Sequence, residues 1–172
     1  SEAIENRFNI DLDGIEYDAK FVFETAGYNL EGNELGAAFG LAQLKKLKRN
    51  IEIREKNFKI QHEFFDQHNK FFSNPVQTTN SSTAWLAYPV LINEEASFSR
   101  KEFQIFLEKR NIQTRVVFTG NILRQPMMKG YKFKVNSEGY PNSDAVMQRG
   151  VLLPIHHGMK DNMFERLHET IE

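Results

Sequence analysis

The sequence predicts a mixed α/β domain of the α+β kind: a small sheet backed by helices and reached through one long helix. Three observations carry that prediction. Apolar residues recur at three- and four-residue intervals from Asn33 to about Phe72, the period of a helix with one buried face. The runs AWLAYPVLI, IQTRVVF and VLLPI are short, apolar and partly β-branched, which suits strands better than helices. Helices with legible caps stand between and after these runs, and no repeat or low-complexity tract interrupts the alternation.

Taken in order, residues 1–20 alternate loosely and carry turn residues at Asp11 and Asp13-Gly14, as an irregular lead-in or a hairpin would. A Gly-Tyr-Asn turn, residues 27–29, then precedes the long helix. Asn33 is placed to cap it, and its stripe is Ala37, Gly40, Leu44, Leu47, Ile51, Phe58, Phe65 and Phe72. Leu35, Phe39, Leu41 and Ala42 add apolar faces in the first turns only. The helix is therefore expected to begin between two bodies and to end with one face on a surface. Gly36 and Gly40 each cost about 1 kcal/mol of helix propensity relative to Ala, and close backbone approach is the expected compensation. The second body is another domain or another subunit.

After a polar loop at Gln77 to Ser82, AWLAYPVLI reads as a strand in which Pro89 points to an edge or a bulge. FSRKEF supplies Ser99 as N-cap, Glu102 as its capping-box partner and Phe98 against Phe103 as a hydrophobic staple, so a helix runs to about Arg110. IQTRVVF is a strand. NSDAVMQRG is a short helix closed by Gly150, VLLPI a strand, and NMFERLHETI a last helix with Asn162 and Glu165 as cap partners.

Composition narrows the function. With 40% apolar and 12% aromatic residues among 172, the chain can bury enough surface to offset the entropy of ordering around one main core. The net charge is −1, and the Lys clusters at Lys45-Lys46, Lys48-Arg49, Lys129, Lys132 and Lys134 sit among acids, so solvated faces are expected rather than a nucleic-acid surface. The chain contains no Cys, hence no disulfide, thiolate-bound metal, iron–sulfur ligand or Cys nucleophile, which fits the cytoplasm. No apolar run approaches the roughly 20 residues that cross a bilayer. Ser1 to Glu5 is polar and acidic, unlike a signal peptide.

Few residues invite a chemical role. Gly27 lets the turn adopt unusual backbone angles, so the Asn29 amide can point into a cleft or bond its own backbone. Arg115 and Arg124 flank VVFTGNIL, and each suits either a two-point hold on phosphate or carboxylate or a surface ion pair. His156 follows VLLPI, at a strand end of the kind where sheet proteins meet ligands. His156 and His157 are adjacent and point in different directions, so no two-His metal site is expected. His62, Glu63 and His68 lack the spacing of a zinc protease motif. No Gly-rich phosphate loop and no Ser-His-Asp arrangement is present.

Several stretches together carry a family resemblance. AGYNLEGNELGAAFGLAQLKKL, IQTRVVFTGNILRQP, VLLPIHHGM and RLHETI stand in the order and spacing of the C-terminal portion of the DegT/DnrJ/EryC1/StrS family, over nearly the whole chain. Members are pyridoxal- or pyridoxamine-phosphate-dependent nucleotide-sugar aminotransferases and dehydratases of fold type I. YDAKF, GYN and TRVVFTGNILRQP are most similar to the hexulose 3-dehydratase branch of deoxysugar and lipopolysaccharide biosynthesis. Sugar aminotransferases commonly carry an Arg two residues beyond the family's Asn; here that residue is Glu31. Iron–sulfur members carry Cys near a basic-Phe pair similar to Arg7-Phe8, and this chain has none.

The resemblance implies a division of labour. Residues 1–32 would end a large domain and carry the cofactor-phosphate turn, residues 33–72 would form a linking and dimer helix, and residues 73–172 a small α/β domain. Asn29 would reach the cofactor phosphate of the other subunit, with Arg115 and His156 near the nucleotide sugar. The Lys or His that serves the cofactor would lie in an N-terminal large domain, so no catalytic residue and no metal ligand is assigned here. The chain is expected to be part of a cytoplasmic, homodimeric 4-keto-6-deoxyhexose 3-dehydratase-like enzyme, inactive by itself. An aminotransferase of the same family, or a non-catalytic interaction or sugar-binding module derived from it, are the alternatives.

Overall fold

The computed structural model describes residues 10–12, 15–17, 22, 28, 30 and 32–172. The chain divides into two units, residues 1–42 and 43–172. In the first, β1 (Ile10–Leu12) and β2 (Ile15–Tyr17) pair antiparallel with Leu12 opposite Ile15. Of the two forms the turn residues allowed, this is the hairpin.

Helix α1 runs unbroken from Glu34 to Gln67. Asn33 caps it as predicted, its Oδ1 accepting the Gly36 N–H at 2.7 Å, which satisfies one of the first-turn donors that a helix leaves unpaired. The stripe sinks along its length. Leu35 is 85% exposed and Phe39 68%, whereas Phe65 is fully buried.

The helix stops at Gln67 rather than continuing to Phe72. His68 Nδ1–H donates to Phe64 O at 2.9 Å, and the Phe71 and Phe72 N–H groups both return to His68 O. The chain turns there, yet Phe72 still enters the core from the next strand. Apolar spacing alone cannot separate another helical turn from a tight turn that returns to the same core.

The second unit continues with β3 (Phe72–Ser73), β4 (Tyr88–Ile92), α2 (Arg100–Glu108), β5 (Arg115–Val116), α3 (Pro141–Arg149), β6 (Gly150–Leu153) and α4 (Asp161–Ile171). Its sheet has four strands in the order β3-β4-β6-β5, and every pairing is antiparallel. Tyr88, Val90 and Ile92 on β4 are buried and alternate with half-buried Pro89 and Leu91, the period of a strand with one core face. Pro89 lies on an interior strand, not the predicted edge. It is tolerated because β3 pairs only Leu91 and Ile92, so β4 has a neighbour on one side alone at Pro89.

Capping of α2 follows the sequence. Ser99 accepts the Glu102 N–H, the Glu102 carboxylate accepts the Ser99 N–H at 2.8 Å, and the Phe98 and Phe103 rings lie 5.7 Å apart. At the other two helices the predicted devices differ. α3 does end at Gly150, but this residue has extended angles and begins β6. Glycine is needed there for space, since a Cβ would lie 2.6 Å from Val146 O. α4 starts at Asp161 after an extended Lys160 that makes no side-chain cap, so Asn162 already lies inside the first turn.

One face of the sheet carries the core. Phe64 and Phe65 from α1, Phe103 and Leu107 from α2, and Phe164 and Leu167 from α4 close over Phe72, Tyr88, Val90, Ile92, Val151 and Leu153. Burying each such side chain contributes about 1.5–3 kcal/mol, so the sheet, α2, α4 and the last turns of α1 hold together as one body.

Candidate functional site: a cleft at the end of β6

Strand β6 sends Val151 and Leu153 into the core and Leu152 to the opposite face. Arg115 on β5 stands directly across from Leu152, and facing residues of an antiparallel pair share a face. Arg115 thus projects away from the packed core. The start of β5 is fixed to α2 through buried Thr114, whose N–H and hydroxyl both donate to Glu108 Oε1 at 2.6 and 3.0 Å while its oxygen accepts from Gln104 Nε2 at 3.0 Å. A short strand is therefore held firmly where it carries the guanidinium.

After Leu153 the chain leaves the sheet. Ile155 is fully buried and His156 emerges exposed. Asn57 of α1 donates from Nδ2 to Ile155 O and His156 O at 3.3 and 3.0 Å. Gln61, one turn on, donates to Pro154 O at 3.4 Å and accepts from His168 Nε2 at 2.9 Å. Burial holds the His168 imidazole below its ordinary pKa, with Glu172 opposing and His68 reinforcing the shift; its ring stacks on Phe64 with centroids 3.9 Å apart.

Arg115 and His156 line one cleft of about 640 Å³, together with Asn111, Met159, Met163 and Arg166. That volume falls within the range that small-molecule sites occupy. Arg166 donates to Arg110 O at 2.8 Å, and among the described residues no carboxylate pairs with Arg115. His156 Nδ1 accepts the Gly158 N–H at 3.2 Å, which leaves Nε2 to carry the proton of the neutral ring. Two guanidinium groups and an imidazole donor beside Met and Leu side chains suit an organic anion.

The other candidates separate clearly. Arg124 forms a two-point pair with Asp144, Nε–Oδ1 2.5 Å and Nη2–Oδ2 2.7 Å, and Asn121 adds a bond at 2.8 Å. The Arg124 guanidinium and the Asn121 amide hold the Asp144 carboxyl at about 2. Arg124 is the ion-pair residue of the two, and Arg115 has no carboxylate partner among the described residues. Asn29, with Gly27 and Glu31, lies outside the described residues. Among those described, no group of His, Cys, Asp or Glu could hold a metal ion, and no helix is long and apolar enough to cross a membrane.

Asn57, Gln61 and Arg166 join the site only in the folded chain. For the two amides a signal existed: Asn57, Gln61, Phe64 and His68 fall at helical spacing, on the face adjoining the apolar stripe. Arg166 has no such mark.

A short antiparallel sheet with helices on its core face, following a long helix, matches the pyridoxal-phosphate-dependent enzymes of fold type I. Residues 2–172 match the DegT/DnrJ/EryC1/StrS aminotransferase family, and the chain belongs to it. It is 32% identical to the lipopolysaccharide biosynthesis protein RfbH of Salmonella typhimurium, over 83% of this chain and 32% of that protein. It is 33% identical to the dTDP-4-dehydro-2,6-dideoxy-D-glucose 3-dehydratase of Saccharopolyspora spinosa, over 90% of this chain and 33% of that one. The Escherichia coli GDP-4-keto-6-deoxy-D-mannose-3-dehydratase with bound hydrated pyridoxal phosphate superposes with a TM-score of 0.80 at 25% identity, covering 89% of this chain and 39% of that structure. The chain spans about a third of the length of these curated relatives.

Proposed function

We propose that this chain is the C-terminal part of a nucleotide-sugar 3-dehydratase that uses pyridoxal or pyridoxamine phosphate and acts on a 4-keto-6-deoxyhexose in deoxysugar or lipopolysaccharide biosynthesis. The observation that carries this reading is the cleft that joins Arg115 to His156, in a chain whose relatives include named 3-dehydratases. Arg115 has the charge and planar fork to hold the nucleotide diphosphate. His156, with its proton on Nε2, can donate to an oxygen of the sugar. Met159 and Met163 give the ligand an apolar wall beside both groups.

When bound, the cofactor supplies the electron sink for the reaction. In this reading Asn29 holds its phosphate, an amide N–H being a donor that needs no titration. Residues 1–32 end the large domain, α1 and its flanks (residues 33–72) link the domains and form the dimer contact, and residues 73–172 make the small domain that carries the cleft. The N-terminal domain and a second copy are the partners, and the cytoplasm is the compartment where nucleotide sugars would be met.

Substrate binding tests this. In the complete protein Arg115→Ala should weaken affinity for the nucleotide-linked 4-keto-6-deoxyhexose by about one to two decades, the effect of losing a hydrogen bond to a charged group of roughly 1.5–3 kcal/mol. Calorimetric titration measures it. Unchanged affinity in Arg115→Ala would remove this cleft from the substrate path.

A further inference from the structure

Strand β4 pairs with β6 only as far as Tyr88 opposite Leu153. Beyond that point side chains of α1 donate to the carbonyls of Pro154, Ile155 and His156: Gln61 Nε2 to Pro154 O, and Asn57 Nδ2 to the next two, of which His156 O also accepts the Met159 N–H at 3.0 Å. Asn57 is 3% exposed and Gln61 0%. An apolar side chain would bury at these helix positions without the desolvation cost of an amide. The amides answer a need set by the carbonyls, which must be paired once buried.

The two amides are not equivalent. Gln61 also accepts from His168 and ties α1 to α4, whereas the Asn57 amide nitrogen bonds only the two peptides that lead into and out of His156. The imidazole on the second of these peptides lines the cleft, and its Nδ1 receives the Gly158 N–H at 3.2 Å.

We propose that Asn57 is a positioning residue of the cleft: its carboxamide fixes the Ile155 and His156 carbonyls, and through them the placement of the His156 imidazole and its bond from Gly158. This rests on the reading of His156 as a substrate-facing group, but what Asn57 does to His156 can be observed without turnover. A residue that serves stability alone would lower the melting temperature and leave the His156–Gly158 bond intact.

The experiment uses the full-length protein carrying ¹⁵N-glycine, compared with Asn57→Leu and with Gln61→Met as the control that disturbs the same buried row. In Asn57→Leu the hydrogen-bonded position of the Gly158 amide resonance should be lost, and kcat/KM should fall by about 10-fold, the scale of one misplaced hydrogen bond to the substrate. Gln61→Met should lower the melting temperature and keep the Gly158 resonance. If Asn57→Leu does not fold, Asn57→Ser, which retains one donor, should show the same changes in smaller degree. A wild-type Gly158 resonance in a folded Asn57 variant, or an equal disturbance in Gln61→Met, would overturn the proposal. Loss of the resonance with unchanged turnover would uphold the positioning of His156 and remove His156 from the substrate contacts instead.

Discussion

Arg115 and Arg124 are the same residue type nine positions apart, and only their surroundings distinguish them. Asp144, brought in by α3, takes Arg124 into a two-point ion pair, while β5 presents Arg115 beside a cleft. No local sequence signal encodes which of two arginines a carboxylate from a distant helix will meet, which is why both roles stayed open for each. His168 illustrates the same dependence on context with a measurable consequence. Burial lowers its pKa in the folded chain, so the unfolded chain takes up a proton more readily below the ordinary histidine value of about 6.5. Stability should therefore decline as pH falls below about 6.5, and the decline should end once the folded pKa is passed. His168→Gln removes this group. Urea midpoints recorded between pH 7 and 4 should slope less with pH in the variant than in the parent chain.

Element ends were legible where the cap is a local device and illegible where it is not. Ser99, Glu102, Phe98 and Phe103 lie within six residues of one another and specify the start of α2 without help from the rest of the fold. Asn33 did the same for α1. Asn162 resembled a cap, but the extended residue before α4 is Lys160, fixed by how the chain arrives from the cleft. Ser99→Ala should thus cost about 1 kcal/mol of unfolding free energy, read from denaturant titration, whereas Asn162→Ala should change it by much less. The strands were found in kind and overextended in length: of IQTRVVF only Arg115 and Val116 pair in the sheet. A β-branched run marks what can pair, and the partner strand decides how much does. The amides Asn57 and Gln61 stayed hidden because polar residues on a helix read as its solvent face until the chain that they bond is in place.

The long helix is expected to begin between two bodies, and in this chain Leu35, Phe39, Leu41 and Leu44 stand more than half exposed. Large apolar side chains left open along one helix in this way are rare on isolated soluble chains. Produced alone, the chain should associate through it, and light scattering should report oligomers that dissolve in a Phe39→Glu, Leu41→Glu double variant. A monomer at all concentrations would favour a free-standing module. The fold and the family were legible because spacing, caps and several separated motifs all agree, whereas the cleft required β5, β6, α1 and α4 to be assembled first. Dehydration and amino transfer leave different products. The complete protein, supplied with pyridoxamine phosphate and a nucleotide-linked 4-keto-6-deoxyhexose, should yield a sugar that has lost its 3-hydroxyl and gained no nitrogen, detected by mass spectrometry and NMR. A product carrying a new amino group whose nitrogen comes from added glutamate would contradict the dehydratase reading and assign the chain to an aminotransferase.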